Sequence, residues 1–254
     1  MNIKRLRQME NYIRSYSTCT YEEICERFDI SLSTVRRDMD ELEHRGIIKK
    51  IYGGVMYDEE DNAQPSDLLR SGYTQYGSYK DRIAEAAAAL VEDQDIIILG
   101  SGTTVAHMAH HLANKKNITV ITNNLMVIEE AKRYNFSVIG IGGNFDRNTG
   151  SFVGTITIKE LENLNANKAF LSCNGFALTH GFSNVTDLEA DIKKTTMKIS
   201  SQTVILADQE KFDKMSLYKF AVPEQIHAVV TDKEPSEEYR KLLQKSHTRL
   251  IIAS

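Results

Sequence analysis

No stretch of this chain approaches the roughly 18 uninterrupted apolar residues of a membrane-crossing helix. Its opening, MNIKRLRQMENYI, alternates charged and apolar residues where a signal peptide would carry an apolar block. The expectation is a cytoplasmic protein with no membrane partner. Cysteine is scarce as well. Cys19, Cys25 and Cys173 are odd in number and form no C-x-x-C pair, so neither a disulfide framework nor a cysteine zinc site is suggested. They are expected to fill small core positions. A large excess of one charge is also missing, since the formal net charge is -4 over 254 residues. That argues against indiscriminate coating of nucleic acid and leaves room for a DNA reader whose positive charge is local. Residues 1–57 hold ten Lys and Arg against nine Asp and Glu, so placement must decide. With 41% apolar and 26% charged residues, the chain can bury a core as two domains or one large one.

Ile3, Leu6, Met9, Ile13 and Tyr16 recur at helical spacing and predict a first amphipathic helix, ending before the turn-prone S-T-C-T. Thr20 and Glu23 have capping-box spacing, followed by Ile24, Cys25 and Phe28 on one face, which predicts a short second helix ending near Asp29. Ser31 then suits the N-cap of a third helix, and Gly46 its stop. On that third helix Leu32, Val35, Met39 and Leu42 share one face. Ser33, Thr34, Arg37 and Glu41 lie opposite, with Arg36 at the border. The runs I-I-K-K-I-Y and V-M-Y around Gly53-Gly54 predict a two-stranded wing.

A stretch such as S-T-V-R-R-D is on its own compatible with a solvated helix face holding pairs such as Arg36 with Asp40. Three helices, a wing and the cluster Arg36, Arg37, Arg45, Lys49 and Lys50 agree instead on a winged helix-turn-helix that binds double-stranded DNA. Arg37 is the expected base reader. Arg36, Lys49 and Lys50 are expected at phosphates, with Ser31, Ser33, Thr34 and the wing's Gly53 completing the surface. Residues 20–57, TYEEICERFDISLSTVRRDMDELEHRGIIKKIYGGV onward, resemble the DNA-binding domain of the DeoR family of bacterial transcription regulators. The resemblance implies a sugar-responsive regulator, usually a repressor of a carbohydrate-utilisation operon.

Residues 58–79 are acidic, then rich in Gly, Ser and Tyr, without a sustained apolar period, and are expected to form a connector. From Lys80 to residue 254 helical runs alternate with short apolar runs, the pattern of an α/β domain with a largely parallel sheet. Strands are predicted at 95–99, 118–121, 137–141, 168–172, 203–207, 228–231 and 249–253. The first five run into G-S-G-T-T, T-N-N, G-G-N, C-N-G and D-Q-E-K-F, polar loops that a parallel sheet gathers on one edge. Ser101, Gly102, Thr103 and Thr104 precede a helix and suit an anion such as phosphate. The turn lacks the third glycine of a dinucleotide fingerprint and the Gly-Lys of a Walker A loop.

Residues 80–254 are similar to the DeoR-family effector domain, itself related to ribose-5-phosphate isomerase and similar sugar-phosphate isomerases. The likeness rests on K-D-R-I-A-E-A-A, G-S-G-T-T, V-I-T-N-N, G-I-G-G, K-A-F-L-S-C-N-G, E-A-D-I-K-K and A-D-Q-E-K-F. It implies a pocket in which Ser101, Gly102, Thr103 and Thr104 hold phosphate, with Thr122, Asn123, Gly143, Lys193, Asp208 and Lys211 around it and Lys80 near its entry. Where the family carries aspartates this chain has Gly100 and Asn167, a loss that bears on sugar-hydroxyl contacts. Other readings stay open. An isomerase would need a carboxylate base and an enediolate stabiliser, which Asp208 or Glu210 with Lys211 could supply. His107, His110 and His111 have metal-compatible spacing, but no Glu or Cys lies beside them, and a solvated helix face is the expectation. A pure interaction module would leave the five polar loops unexplained. The expected protein is thus a non-catalytic, homo-oligomeric regulator, a dimer or tetramer without cofactor, binding an operator and a phosphorylated sugar.

Overall fold

The computed structural model describes residues 3–16, 18–44, 47–51, 53–57 and 79–253. The chain divides into two compact units, Met1–Asp67 and Leu68–Ser254. Arg45, Gly46 and the expected connector lie outside the described residues, except Tyr79, which opens a helix.

In the first unit, helices α1 (Ile3–Tyr16), α2 (Tyr21–Phe28) and α3 (Leu32–His44) are accompanied by strands β1 (Thr18–Thr20), β2 (Ile48–Ile51) and β3 (Gly54–Tyr57). Leu6, Met9, Ile13, Ile24, Val35, Met39 and Leu42 close on one another, and Cys19, Ile48 and Val55 seal the cluster from the sheet side. The capping box forms: Thr20 Oγ1 accepts from the Glu23 amide at 3.2 Å, and Glu23 Oε2 accepts from the Thr20 amide at 2.8 Å. The second helix ends at Asp29, which turns left-handed with φ 50°. The stretch expected to be a turn, S-T-C-T, instead contributes β1, paired antiparallel to β3 with Cys19 opposite Val55. Its partner lies more than thirty residues away, so local turn propensity could not reveal it. Gly54 makes the pairing possible, because a Cβ there would collide with the Cys19 carbonyl. Leu32, expected on the core face, is 42% exposed. It opens α3 one turn ahead of Val35, the first residue of the helix that the core encloses.

The second unit is built on seven strands, all parallel, in the order β15-β14-β12-β9-β4-β5-β6. They are β4 (Ile96–Leu99), β5 (Thr119–Thr122), β6 (Ser137–Gly140), β9 (Ala166–Ser172), β12 (Ser200–Leu206), β14 (Ala228–Thr231) and β15 (Arg249–Ile252), at the seven predicted places. Side chains alternate between two buried faces, as a sheet covered on both sides requires. Ile97, Leu99, Val204 and Leu206 pack under α4 (Tyr79–Ala88), α5 (Thr103–His111) and α6 (Leu125–Ala131). Ile98 and Ile205 face the other way, toward α7 (Thr155–Glu162), α8 (Asp187–Lys198) and α9 (Glu237–Lys245).

The chain runs outward from β4 to β6, then returns beside β4 to lay down β9 and continues the opposite way. The strand order therefore reverses between β4 and β9, and in such sheets ligands bind outside the carboxyl ends at that point. Five short strands were not expected. Strands β7 (Asn144–Asp146) and β8 (Ser151–Val153) form a hairpin, and β10 (Gly175–Ala177), β11 (Gly181–Asn184) and β13 (Tyr218–Ala221) form an antiparallel sheet. Each is three or four residues long, and β13 reaches β11 from across α8 and β12, so neither length nor period marks them in sequence.

Candidate functional site

The first unit presents the amino end of α3. Ser31, Ser33, Arg36 and Arg37 are exposed and Thr34 is half-buried. Ser31 Oγ lies 3.0 Å from Ser33 Oγ and 2.9 Å from Thr34 Oγ1, a hydroxyl cluster that also meets the Thr34 amide. The Arg36 guanidinium sits 6.0 Å from the centre of the Tyr21 ring. Arg37 makes no hydrogen bond or ion pair among the described residues, which leaves its five donors for a partner. Behind the helix, Arg5 Nε and Nη2 each lie 2.8 Å from Asp38 Oδ2, tying α1 to α3. On the wing Lys49 is exposed, and Gly53 turns the chain with φ 80°. Lys50 is not directed outward as a phosphate contact would be. Its ammonium lies 2.6 Å from Asp40 Oδ1 and 2.5 Å from Glu43 Oε2, and these bonds hold its pKa above the ordinary lysine range.

In the second unit the loops after β4 and β9 meet at the switch point. Gly102 takes φ 115° and opens α5 without a side-chain cap, so the first amides of that helix lack intrahelical or capping partners. A Cβ on Gly102 would lie 2.5 Å from Ser172 Oγ, the hydroxyl that donates to the Ser101 carbonyl at 2.8 Å. Ser101 and Thr104 are 6% and 7% exposed, and neither hydroxyl has a hydrogen-bond partner among the described residues. Buried hydroxyls are normally satisfied. Two orphans beside uncapped helix amides are what an anion would complete.

Lys193 lies beneath this turn. It is 2% exposed, and its ammonium donates to the Ser172 carbonyl at 2.8 Å and to Asn184 Oδ1 at 2.9 Å. No carboxylate of the described residues pairs with it, and burial lowers its pKa. Cys173, next along, is buried within electrostatic range of Lys193, Lys211 and Asp208; burial pushes its thiol up to about 12. Those three expected residues therefore gather at one place. Lys80 joins from α4, donating to Thr103 Oγ1 at 3.2 Å. Tyr79 beside it has its phenol pKa raised by burial and by Asp208, Glu210 and Asp232.

Other expected residues serve the frame. Thr122 Oγ1 donates to the Leu99 carbonyl at 2.6 Å, and Asn123 Nδ2 to the Phe152 carbonyl at 2.8 Å, so both hold neighbouring backbone. Gly143 packs under Thr157, whose hydroxyl donates to the Gly142 carbonyl at 2.8 Å. Asp208 Oδ1 accepts from the Glu210 amide at 2.9 Å, which caps the short turn Gln209–Lys211. Asn167, expected to bear on sugar-hydroxyl contacts, is near the amino end of β9 and accepts from the Ile96 amide at 2.7 Å. At about 3.3 Å per residue, the five steps to Ser172 put it ~16 Å from the crevice. Its side chain there joins β9 to the start of β4. At Gly100, by contrast, a side chain would press within 2.8 Å of Leu171 Cδ2.

Two family models match this chain: the DeoR-like helix-turn-helix domain over residues 5–61 and the DeoR C terminal sensor domain over residues 76–233. The chain belongs to the DeoR family of transcriptional regulators. Similar curated proteins include the HTH-type transcriptional regulator IolR of Bacillus subtilis, 38% identical over the full length of both chains. The lactose phosphotransferase system repressor of Streptococcus mutans is 31% identical over 98% of each. Among solved structures, ribose 5 phosphate isomerase A from Neisseria gonorrhoeae aligns over 56% of each chain at 17% identity, with a TM-score of 0.40.

In this DeoR-family chain Asn124, Ser172 and Asn184, none of them among the residues expected from sequence, also hold the crevice. Asn124 Nδ2 spans the carbonyls of Gly100 and Gly102 at 3.1 and 3.2 Å while its Oδ1 caps α6. The doubled Asn of T-N-N was the available signal. The histidines correct another expectation in part, since His110 is exposed but His107 is buried and His111 half-buried. His107 is 2% exposed with Nδ1 3.6 Å from Asp81 Oδ1, and His111 Nε2 is 2.9 Å from the same oxygen. His110 Nδ1 lies 2.8 Å from the Tyr134 hydroxyl. No cluster of His, Cys, Asp and Glu able to hold a metal occurs among the described residues. Among them, too, no helix is long and apolar enough to cross a membrane.

Proposed function

We propose that this regulator is a repressor of a carbohydrate-utilisation operon whose operator affinity is set by a phosphorylated sugar bound at the β4–β9 switch point. The observation that carries the reading is the pair of buried, unpartnered hydroxyls of Ser101 and Thr104 beside the uncapped start of α5. A phosphate fits these donors in both charge and number. Lys193, with two neutral acceptors for three N–H groups, adds positive charge from below, and Lys80 adds it from the rim. Lys211, Asp208, Thr103 and the Gly102 backbone complete the crevice, with Thr122, Asn123 and Gly143 shaping its β5–β6 side.

Operator reading falls to Arg37, with Arg36, Lys49 and the hydroxyls of Ser31, Ser33 and Thr34 around it. A homo-oligomer, dimer or tetramer, presents these helices to half-sites about 34 Å apart or a multiple of it. The effector shifts operator affinity by a coupling that is typically ~1–3 kcal/mol, and the operator shifts effector affinity equally. The crevice serves as a sensor and not as an isomerase centre, a reading supported by the transcriptional regulators that this chain resembles.

Fluorescence anisotropy on DNA from the protein's own promoter region, titrated with sugar phosphates and the corresponding free sugars, tests the reading. Selective binding shifted by a phosphorylated sugar and not by its free form is expected. Selective binding indifferent to every phosphorylated sugar would reject the effector assignment, and loss of all selectivity would reject the operator reading.

A further inference from the structure

One cation joins the wing to the recognition helix. Lys50 on β2 reaches Asp40 and Glu43, which stand one turn apart on α3, and makes a hydrogen bond to each. We propose that Lys50 is a positioning residue that acts on DNA through Asp40 and Glu43, neutralising two carboxylates at the border of the reading face and fixing the wing against α3, without touching phosphate itself.

At about 100° per residue, Asp40 lies roughly 60° from Arg37 around the helix and Glu43 roughly 120°, both on one side. Both therefore border the surface that would meet the DNA backbone, where uncompensated carboxylates repel phosphate. Lys50 cancels that repulsion at charge-assisted hydrogen-bond distance. To contact a phosphate it would have to leave two bare carboxylates beside the duplex, so exchanging partners gains little. The three side chains are all partly exposed, and such pairs contribute little to folding. The core of the unit is carried by Leu6, Met9, Ile13, Ile24, Val35 and Met39, none of which these residues replace. What the pair controls is the electrostatic surface that DNA meets.

The test uses full-length wild type, Lys50→Gln, Asp40→Asn with Glu43→Gln, and the triple variant, all checked for unchanged thermal unfolding. Each is titrated over a range of salt with a labelled duplex from upstream of its own coding sequence and with a mixed-sequence duplex. Lys50→Gln is expected to lower affinity roughly tenfold while changing the slope of log K against log salt by less than half of the ~0.9 that one phosphate contact contributes. The triple variant is expected to recover to within about threefold of wild type, because no carboxylate then remains to be neutralised. A slope flatter by ~0.9 for Lys50→Gln, with no recovery in the triple variant, would make Lys50 a phosphate contact and overturn the inference. Wild-type affinity for Lys50→Gln would overturn it too. DNA binding itself is checked separately, by the wild type in the same titration.

Discussion

Gly102→Ala tests the geometry of the crevice most directly. At φ 115° and ψ 148° the residue occupies backbone space that essentially only glycine enters, at a cost to other residues of about 1–3 kcal/mol. The new methyl would also stand 2.5 Å from Ser172 Oγ and 3.1 Å from Ser172 Cβ, an overpacking of about 1–3 kcal/mol. If Ser172 rotates away, its bond to the Ser101 carbonyl goes as well, a further loss of about 1 kcal/mol. A total of about 3–7 kcal/mol, at ~2–4 °C per kcal/mol for a unit this size, would lower the melting temperature by at least ~6 °C. Calorimetry of the sensor-unit transition is the assay. Adding Ser172→Gly removes the collision but not the backbone strain, so the double variant should regain about half the loss relative to Ser172→Gly alone. A single variant melting within about 2 °C of wild type would refute both the strain and the contact, and a double-mutant cycle without coupling would refute the contact.

Lys193→Met should weaken binding of a phosphorylated effector at least tenfold by calorimetry, since it removes a charged donor worth about 1.5–3 kcal/mol. Its effect on stability should be small, because relief of a buried charge offsets the two acceptors left behind; unchanged effector affinity would remove Lys193 from the site. Cys173 has its pKa raised from 9.0 to about 12, so its neutral thiol contributes stability that is full below pH 9.0 and lost as pH rises toward 12. The stability difference between wild type and Cys173→Ala should therefore shift against wild type from pH 9 upward in urea titrations, and a difference independent of pH would contradict the burial. Arg37→Ala should cut the ratio of operator to mixed-sequence affinity by about 1–3 kcal/mol, roughly 5- to 150-fold, with thermal unfolding unchanged. A preserved ratio would take base reading away from Arg37.

Much of the fold was legible because its signals are local. The Thr20–Glu23 capping box, the Gly53-Gly54 turn and the seven apolar runs each lie within a few residues, and each forms where expected. The polar loops were legible for the same reason, as residues that follow a strand in a pattern whose sheet edge is predictable. What stayed hidden depends on partners distant in the chain. Strand β1 exists because β3 pairs with it, and the antiparallel sheet of β10, β11 and β13 assembles around α8 from pieces too short to show a period.

The site divides in the same way. Sequence by itself determined the residue types on the sheet's carboxyl edge, the reading face of α3 and the order of the two units. Tertiary structure alone decided which polar atoms are spent on the frame and which remain for a ligand. Thr122, Asn123 and Asn124 turn their polar atoms to neighbouring backbone, Lys50 turns to two carboxylates, and Asn167 falls at the far edge of the sheet. Ser101 and Thr104 are left buried without partners. The physical reason is that a side chain's chemistry is fixed by its identity, while its unmet hydrogen-bonding capacity depends on neighbours that only the folded chain supplies.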